Sequence, residues 1–244
     1  MERNAIETFE FDRGLKGAIY FDDDPPNPRT EWDNLGTMVC WHRQYNLGDP
    51  PYNEYVDSEQ FFRALAQEVD ATVEDRIDFW ESGQGWASIC SLPDACDVCD
   101  DRVRALIRKV IGKHYIVLPI YLYEHGGITI SAGSFSCPWD SGQVGYIYLS
   151  LEKAREEYGW KKITPARRQE LIEYLDGEVK AYDRYLTGQI FGFVLEDAED
   201  NHIESCWGFD DQDYCEQQLR SAADWALKKI QNEIAEETAE EVEG

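Results

Sequence analysis

Basic side chains are what this sequence has least of for its size. Twenty-three Lys and Arg stand against 49 Asp and Glu in 244 residues, a formal net charge of -26. That deficit excludes a nucleic-acid or membrane binder working through a cationic face, because such a field repels polyanions and attracts basic partners. No apolar run reaches the roughly 18 residues of a membrane span. Met1 to Glu10 is charged where a secretory leader would be apolar. The seven cysteines are odd in number and follow no framework spacing, which fits reduced thiols in a cytoplasmic setting. The GQG at Gly83 to Gly85 and the Gly126-Gly127 pair match no nucleotide fingerprint, so no cofactor is expected. With no internal repeat and no linker, a single domain over 1–244 is expected, with a polar lead-in to residue 15 and a frayed acidic tail from Glu233.

Apolar residues make up 43% and aromatics 13%, enough for a sizeable core. The segment Tyr115 to Ser150 organises the reading. An apolar, β-branched and aromatic run (Tyr115 to Tyr123) is followed by a Gly-Gly turn. A short run over Ile128 to Ser131 comes next, then a Gly/Ser/Pro loop and a third run, Val144 to Leu149. Runs bounded in this way read as strands in hairpin connection. The loop carries Cys137, Pro138, Trp139 and Asp140, and a Trp beside a Cys there predicts a packed corner.

Further strands are expected at Lys16 to Phe21, Thr37 to His42, Gln189 to Leu195 and His202 to Trp207, the last two as a hairpin. A helix capped by Ser58 places Phe61, Phe62, Leu65, Ala66 and Val69 on one face. Others are expected over Val73 to Trp80, and over Asp97 to Ile111 with Gly112 as its stop. Leu151 to Tyr158 reads as a helix, as does Pro165 to Leu186 behind a Thr164 cap. The last helix is expected over Asp213 to Ile234. The pattern predicts an α+β fold, with antiparallel sheet built from strands near 115–150 and 189–207 and packed by helices.

The segment ITISAGSFSCPWDSGQVGYIYLS resembles a family of uncharacterised proteins of bacteriophages and other mobile elements. WDNLGTMVCWHRQYNLGD precedes it, and YDRYLTGQIFGFVLED and ESCWGF follow. The resemblance covers roughly Trp32 to Phe209 and is most specific in SCPWDSGQVG. It implies a mobile-element setting and a host-cell cytoplasm, and it transfers no catalytic residue.

The acids are unevenly spread. Residues 68–101 hold ten acids and one base, and residues 191–244 hold sixteen acids and three bases. A compact protein of this mass exposes about 11,000 Å², so the net charge averages one per ~430 Å². A duplex shows about one per ~110 Å². Imitation of nucleic acid therefore requires segregation onto one face. The residues expected to meet a basic partner are Asp70, Glu74, Asp75, Asp78, Glu81, Asp197, Glu199, Asp200, Asp210, Asp211 and Asp213. The partner expected is a basic host protein or nucleoprotein effector, engaged at its nucleic-acid groove.

The same acidity fits an acidic soluble accessory protein, or one from a salt-loving host, and two other chemistries compete with this reading. Cys137, His125 and Asp140 offer a thiol, a base and an orienting carboxylate in one strand-loop unit. Cys96 and Cys99, with Cys90 before them, could begin a zinc site. There is no second cysteine pair, so no metal is assigned.

Overall fold

The computed structural model describes residues 4–52, 54, 55, 57–81, 95–137 and 139–243, with side chains outside 79–104 and 237–243. In chain order the elements are β1 (Glu7–Glu10), β2 (Lys16–Phe21), α1 (Pro28–Glu31), β3 (Thr37–Cys40), α2 (Ser58–Val69), α3 (Val73–Glu81), α4 (Ala95–His114), β4 (Tyr115–Glu124), β5 (Ile128–Ser131) and β6 (Ser141–Ser150). After these come α5 (Leu151–Tyr158), α6 (Pro165–Leu186), β7 (Phe191–Glu196), β8 (His202–Phe209) and α7 (Gln212–Glu243). The fold is α+β with antiparallel sheets, as the sequence pattern predicts. The strand groups near 115–150 and 189–207 build separate four-stranded sheets, and contacts divide the chain into two units: Met1–Glu31 with Ala181–Gly244, and Trp32–Lys180.

The first unit has strand order β1-β2-β7-β8. The stretch read as a polar lead-in supplies its edge strand, with Glu7 opposite Ile19 and Glu10 opposite Lys16. Alternation along β2 and β7 buries Ile19, Phe193 and Leu195 on one face. Helix α7 covers that face with Cys215, Leu219, Ala222, Ala223 and Ala226, a helical stripe. The approach is close: a Cβ on Gly17 would fall 2.8 Å from Leu219 Cδ1. Helix α7 continues to Glu243, past the point where a frayed tail is expected.

The second unit has order β3-β6-β4-β5. One face of its sheet carries Val117, Tyr146 and Tyr148, packed with Phe61, Leu65, Val73, Ile77, Ile107 and Ile111 from α2, α3 and α4. The opposite pleat buries Ile116, Ile120, Ile147 and Leu149. Gly36 admits helix α6 to that side, since a Cβ there would lie 2.4 Å from Leu175 Cδ2 and 2.9 Å from Ile147 Cγ1. Asp57, not Ser58, caps α2, accepting from the Gln60 N–H at 2.9 Å. Ser150 caps α5, whose end is Gly159 in the left-handed region. Among the described residues no helix is long and apolar enough to cross a membrane.

Candidate functional site

Many of the acids expected to meet a partner are held in local structure. In the second unit, Asp70 accepts from the N–H and Oγ1 of Thr72 and pairs with Arg76. The Thr72 hydroxyl is the main reason its carboxyl sits below the ordinary range. Glu74 lies 3.6 Å from Arg63. Asp75 and Asp78 are exposed on the face of α3 opposite buried Val73 and Ile77. The side chain of Glu81 lies outside the described residues.

In the first unit, Asp197 organises the β7–β8 turn, accepting from the N–H groups of Glu199 and Asn201 at 2.9 and 2.8 Å. The Asn201 amide donates to it as well, and that contact leads the lowering of its carboxyl pKa. Asp200 pairs with Lys16, and Asp210 with Arg184. Asp211 accepts from the Tyr214 N–H at the start of α7. Glu199 and Asp213 are exposed. The 197–200 turn and the 210–213 junction sit at opposite ends of β8, roughly 25 Å apart at strand rise. They therefore form two acidic points and not one cluster. Asp224, Glu233 and Glu236 are exposed further along α7, a helix of about 48 Å, spread around its axis and interleaved with Arg220, Lys228 and Lys229.

The Cys137 loop is open. Trp139 is 91% exposed, so the packed corner expected there does not form. Asp140 Oδ2 lies 3.8 Å from Cys137 Sγ and 3.6 Å from His125 Nδ1. The carboxylate thus stands between thiol and imidazole, whereas a base that activates a thiol must itself touch the sulfur. Cys90 and the side chains of Cys96 and Cys99 lie outside the described residues. Among the described residues no group of three or more His, Cys, Asp or Glu could hold a metal ion.

A feature the sequence reading missed is a groove of about 710 Å³ in the second unit. Its floor is one pleat of the sheet: Tyr115, Val117 and Pro119 of β4 with Tyr146 of β6, which pairs with Pro119. Glu59, Phe62 and Arg63 of α2 form one wall, and Ile107, Arg108, Ile111 and Gly112 of α4 another. Arg168, in the first turn of α6, enters from the side and donates from Nη2 to the Tyr115 carbonyl at 3.0 Å. Arg63 bonds Glu59 at 2.9 Å and remains partly exposed. Burial pushes the Tyr115 hydroxyl well above the ordinary tyrosine range, helped by a hydrogen bond with Glu68.

Compared with protein-family models, curated proteins and solved structures, the chain matches none.

Proposed function

We propose that this chain is an acidic binding protein that occupies the nucleic-acid groove of a basic partner. In the mobile-element setting its SCPWDSGQVG segment suggests, it acts against a host nuclease or a CRISPR or restriction complex. The observation that carries the reading is segregation of charge between the two units. Residues 1–31 and 181–244 hold 25 acids and 8 bases, while residues 32–180 hold 24 and 15. The smaller unit therefore carries most of the net charge, and α7 turns its apolar stripe to the sheet and its acids to solvent. Carboxylates fixed on a rigid helix and a tight turn stand in for phosphates at little ordering cost.

The test is competition. The full chain is immobilised, a bacterial lysate is passed over it at low and high salt, and bound protein is challenged with duplex DNA. A nucleic-acid-binding protein is expected at low salt, released both by salt and by the duplex. Charge reversal at Glu199, Asp213, Asp224 and Glu233, whose carboxylates are exposed, should weaken retention more than reversal at exposed Glu152 and Glu156. Retention that duplex DNA leaves untouched would sink the proposal.

A further inference from the structure

We infer that the groove between α2, α4 and the sheet of the second unit binds a small phosphorylated ligand with a flat ring, of the nucleoside phosphate class. This rests on residues distinct from the acidic surface and does not depend on the function proposed for it.

Charge sets the groove apart from the rest of the chain. The chain as a whole has more than two acids for every base, yet the groove lining has Arg63, Arg108 and Arg168 against a single acid, Glu59. Glu59 and Glu74 both pair with Arg63, which leaves the charge of Arg108 and Arg168. Three guanidiniums come from three separate helices, so no single helix's solvation or dipole explains their meeting. Arg108 is exposed and makes no ion pair with a described residue. Planar guanidiniums bind phosphate through paired N–H donors, and a low-charge anion can neutralise them.

The rest of the lining is mostly aromatic and apolar. Phe62 and Tyr146 meet edge to face with centroids 4.8 Å apart, beside Tyr115, Pro119 and Ile111. These surfaces suit a flat ring, and inorganic phosphate alone would leave them wet. A volume of about 710 Å³ lies within the usual range for small-ligand sites.

Gly112 also lines the groove. It lies inside α4, two residues before the end at His114, where glycine costs roughly 1 kcal/mol of helix stability against alanine. No tight packing requires it, because a Cβ there would meet no described atom within 4 Å. It keeps one wall of the groove low.

The net charge decides the size of the ligand. A polyanion would face the repulsion of the whole chain at every phosphate, whereas a mononucleotide brings only one or two charges to the guanidiniums of Arg108 and Arg168.

The test is titration of the full chain with a nucleoside monophosphate, its parent nucleoside and inorganic phosphate, followed by calorimetry and tyrosine fluorescence. The nucleotide should bind at least tenfold more tightly than either fragment. Arg108→Ala should weaken it about tenfold, in line with loss of one charge-assisted contact. Gly112→Leu, which keeps every charge and favours the helix, should abolish binding while the unfolding midpoint holds or rises. Nucleotide affinity unchanged in both variants would overturn the assignment. So would tighter binding of a glutamate-rich peptide or a single-stranded oligonucleotide than of the mononucleotide.

Discussion

One carboxylate oxygen of Glu178 accepts from two successive backbone N–H groups, those of Leu35 at 2.8 Å and Gly36 at 3.1 Å. Lys153 takes the same turn from its other polarity, donating to the carbonyls of Leu35 and Asn34 at 2.8 and 3.2 Å. The turn leading into β3 is thus clamped by an acid on α6 and a base on α5. Glu178→Ala leaves two part-buried donors unsatisfied and should destabilise by about 1–3 kcal/mol. Urea unfolding measures it. A double-mutant cycle with Lys153→Ala should give a non-zero coupling, because both side chains act on one turn.

Gly145 faces Val39 and Cys40 where β6 pairs with β3. A Cβ at Gly145 would lie 2.2 Å from the Val39 carbonyl oxygen and 2.9 Å from the Cys40 Cα. Backbone on the far side cannot swing away as a side chain can. Gly145→Ala should therefore cost about 1–3 kcal/mol as an overpacked core does. A methyl at Gly142, where no described atom lies within 4 Å, should cost far less. Equal midpoints for the two variants in denaturant would contradict the register.

Tyr148 is pushed up to about 12, first by burial and then by the charges around Tyr55 and Glu54. In the unfolded chain a tyrosine loses its proton near pH ~10. The folded protein holds the proton more tightly, so this contribution is complete below about pH 10. It is lost as pH rises through the folded value of about 12. Alkaline unfolding should fall in that window, and Tyr148→Phe should flatten the loss. Phenolate absorbance against pH, compared with far-ultraviolet dichroism, reads both.

Salt should raise the melting temperature. With 25 acids against 8 bases in the smaller unit, like-charge repulsion opposes folding and screening relieves it. Melts between low and moderate ionic strength measure the effect. A midpoint indifferent to salt would mean that internal pairs such as Lys16–Asp200 already balance the charge.

The thiols should separate by burial. Cys215 is buried and raised to about 11, chiefly by desolvation, while Cys206 is exposed. Native alkylation should label Cys206 and spare Cys215 until the chain unfolds. Cys137, separated from His125 by the Asp140 carboxylate, should react no faster than free cysteine. Faster reaction would favour the thiol enzyme.

Local signals carried the elements they could reach. Thr164-Pro165 and the hairpin from Phe191 to Phe209 act within a few residues, and α6, β7 and β8 follow them closely. Where packing outweighs local preference the reading missed. Gly112 was expected to stop α4, but Ile107, Val110 and Ile111 bury a face worth more than one glycine costs, and the helix runs to His114. Glu7–Glu10 looked like lead-in because an edge strand that covers the core only with Phe9 needs little apolar alternation. Nothing in the composition of the Cys137 loop says whether Trp139 finds a surface to cover it.

The sequence by itself determined the sign and size of the charge, the two acidic blocks and the α+β alternation, since these depend only on residue identity and short-range periodicity. Tertiary structure alone decided which charges meet. Arg63, Arg108 and Arg168 lie on three helices far apart in sequence, and no local spacing relates them. Pairing β4 with β6 and laying α2 and α4 across that sheet places all three around one groove. In the other sheet, pairing β2 with β7 commits Asp200 to Lys16, 184 residues away along the chain. No local pattern records such partners, because what joins them is contact between distant elements.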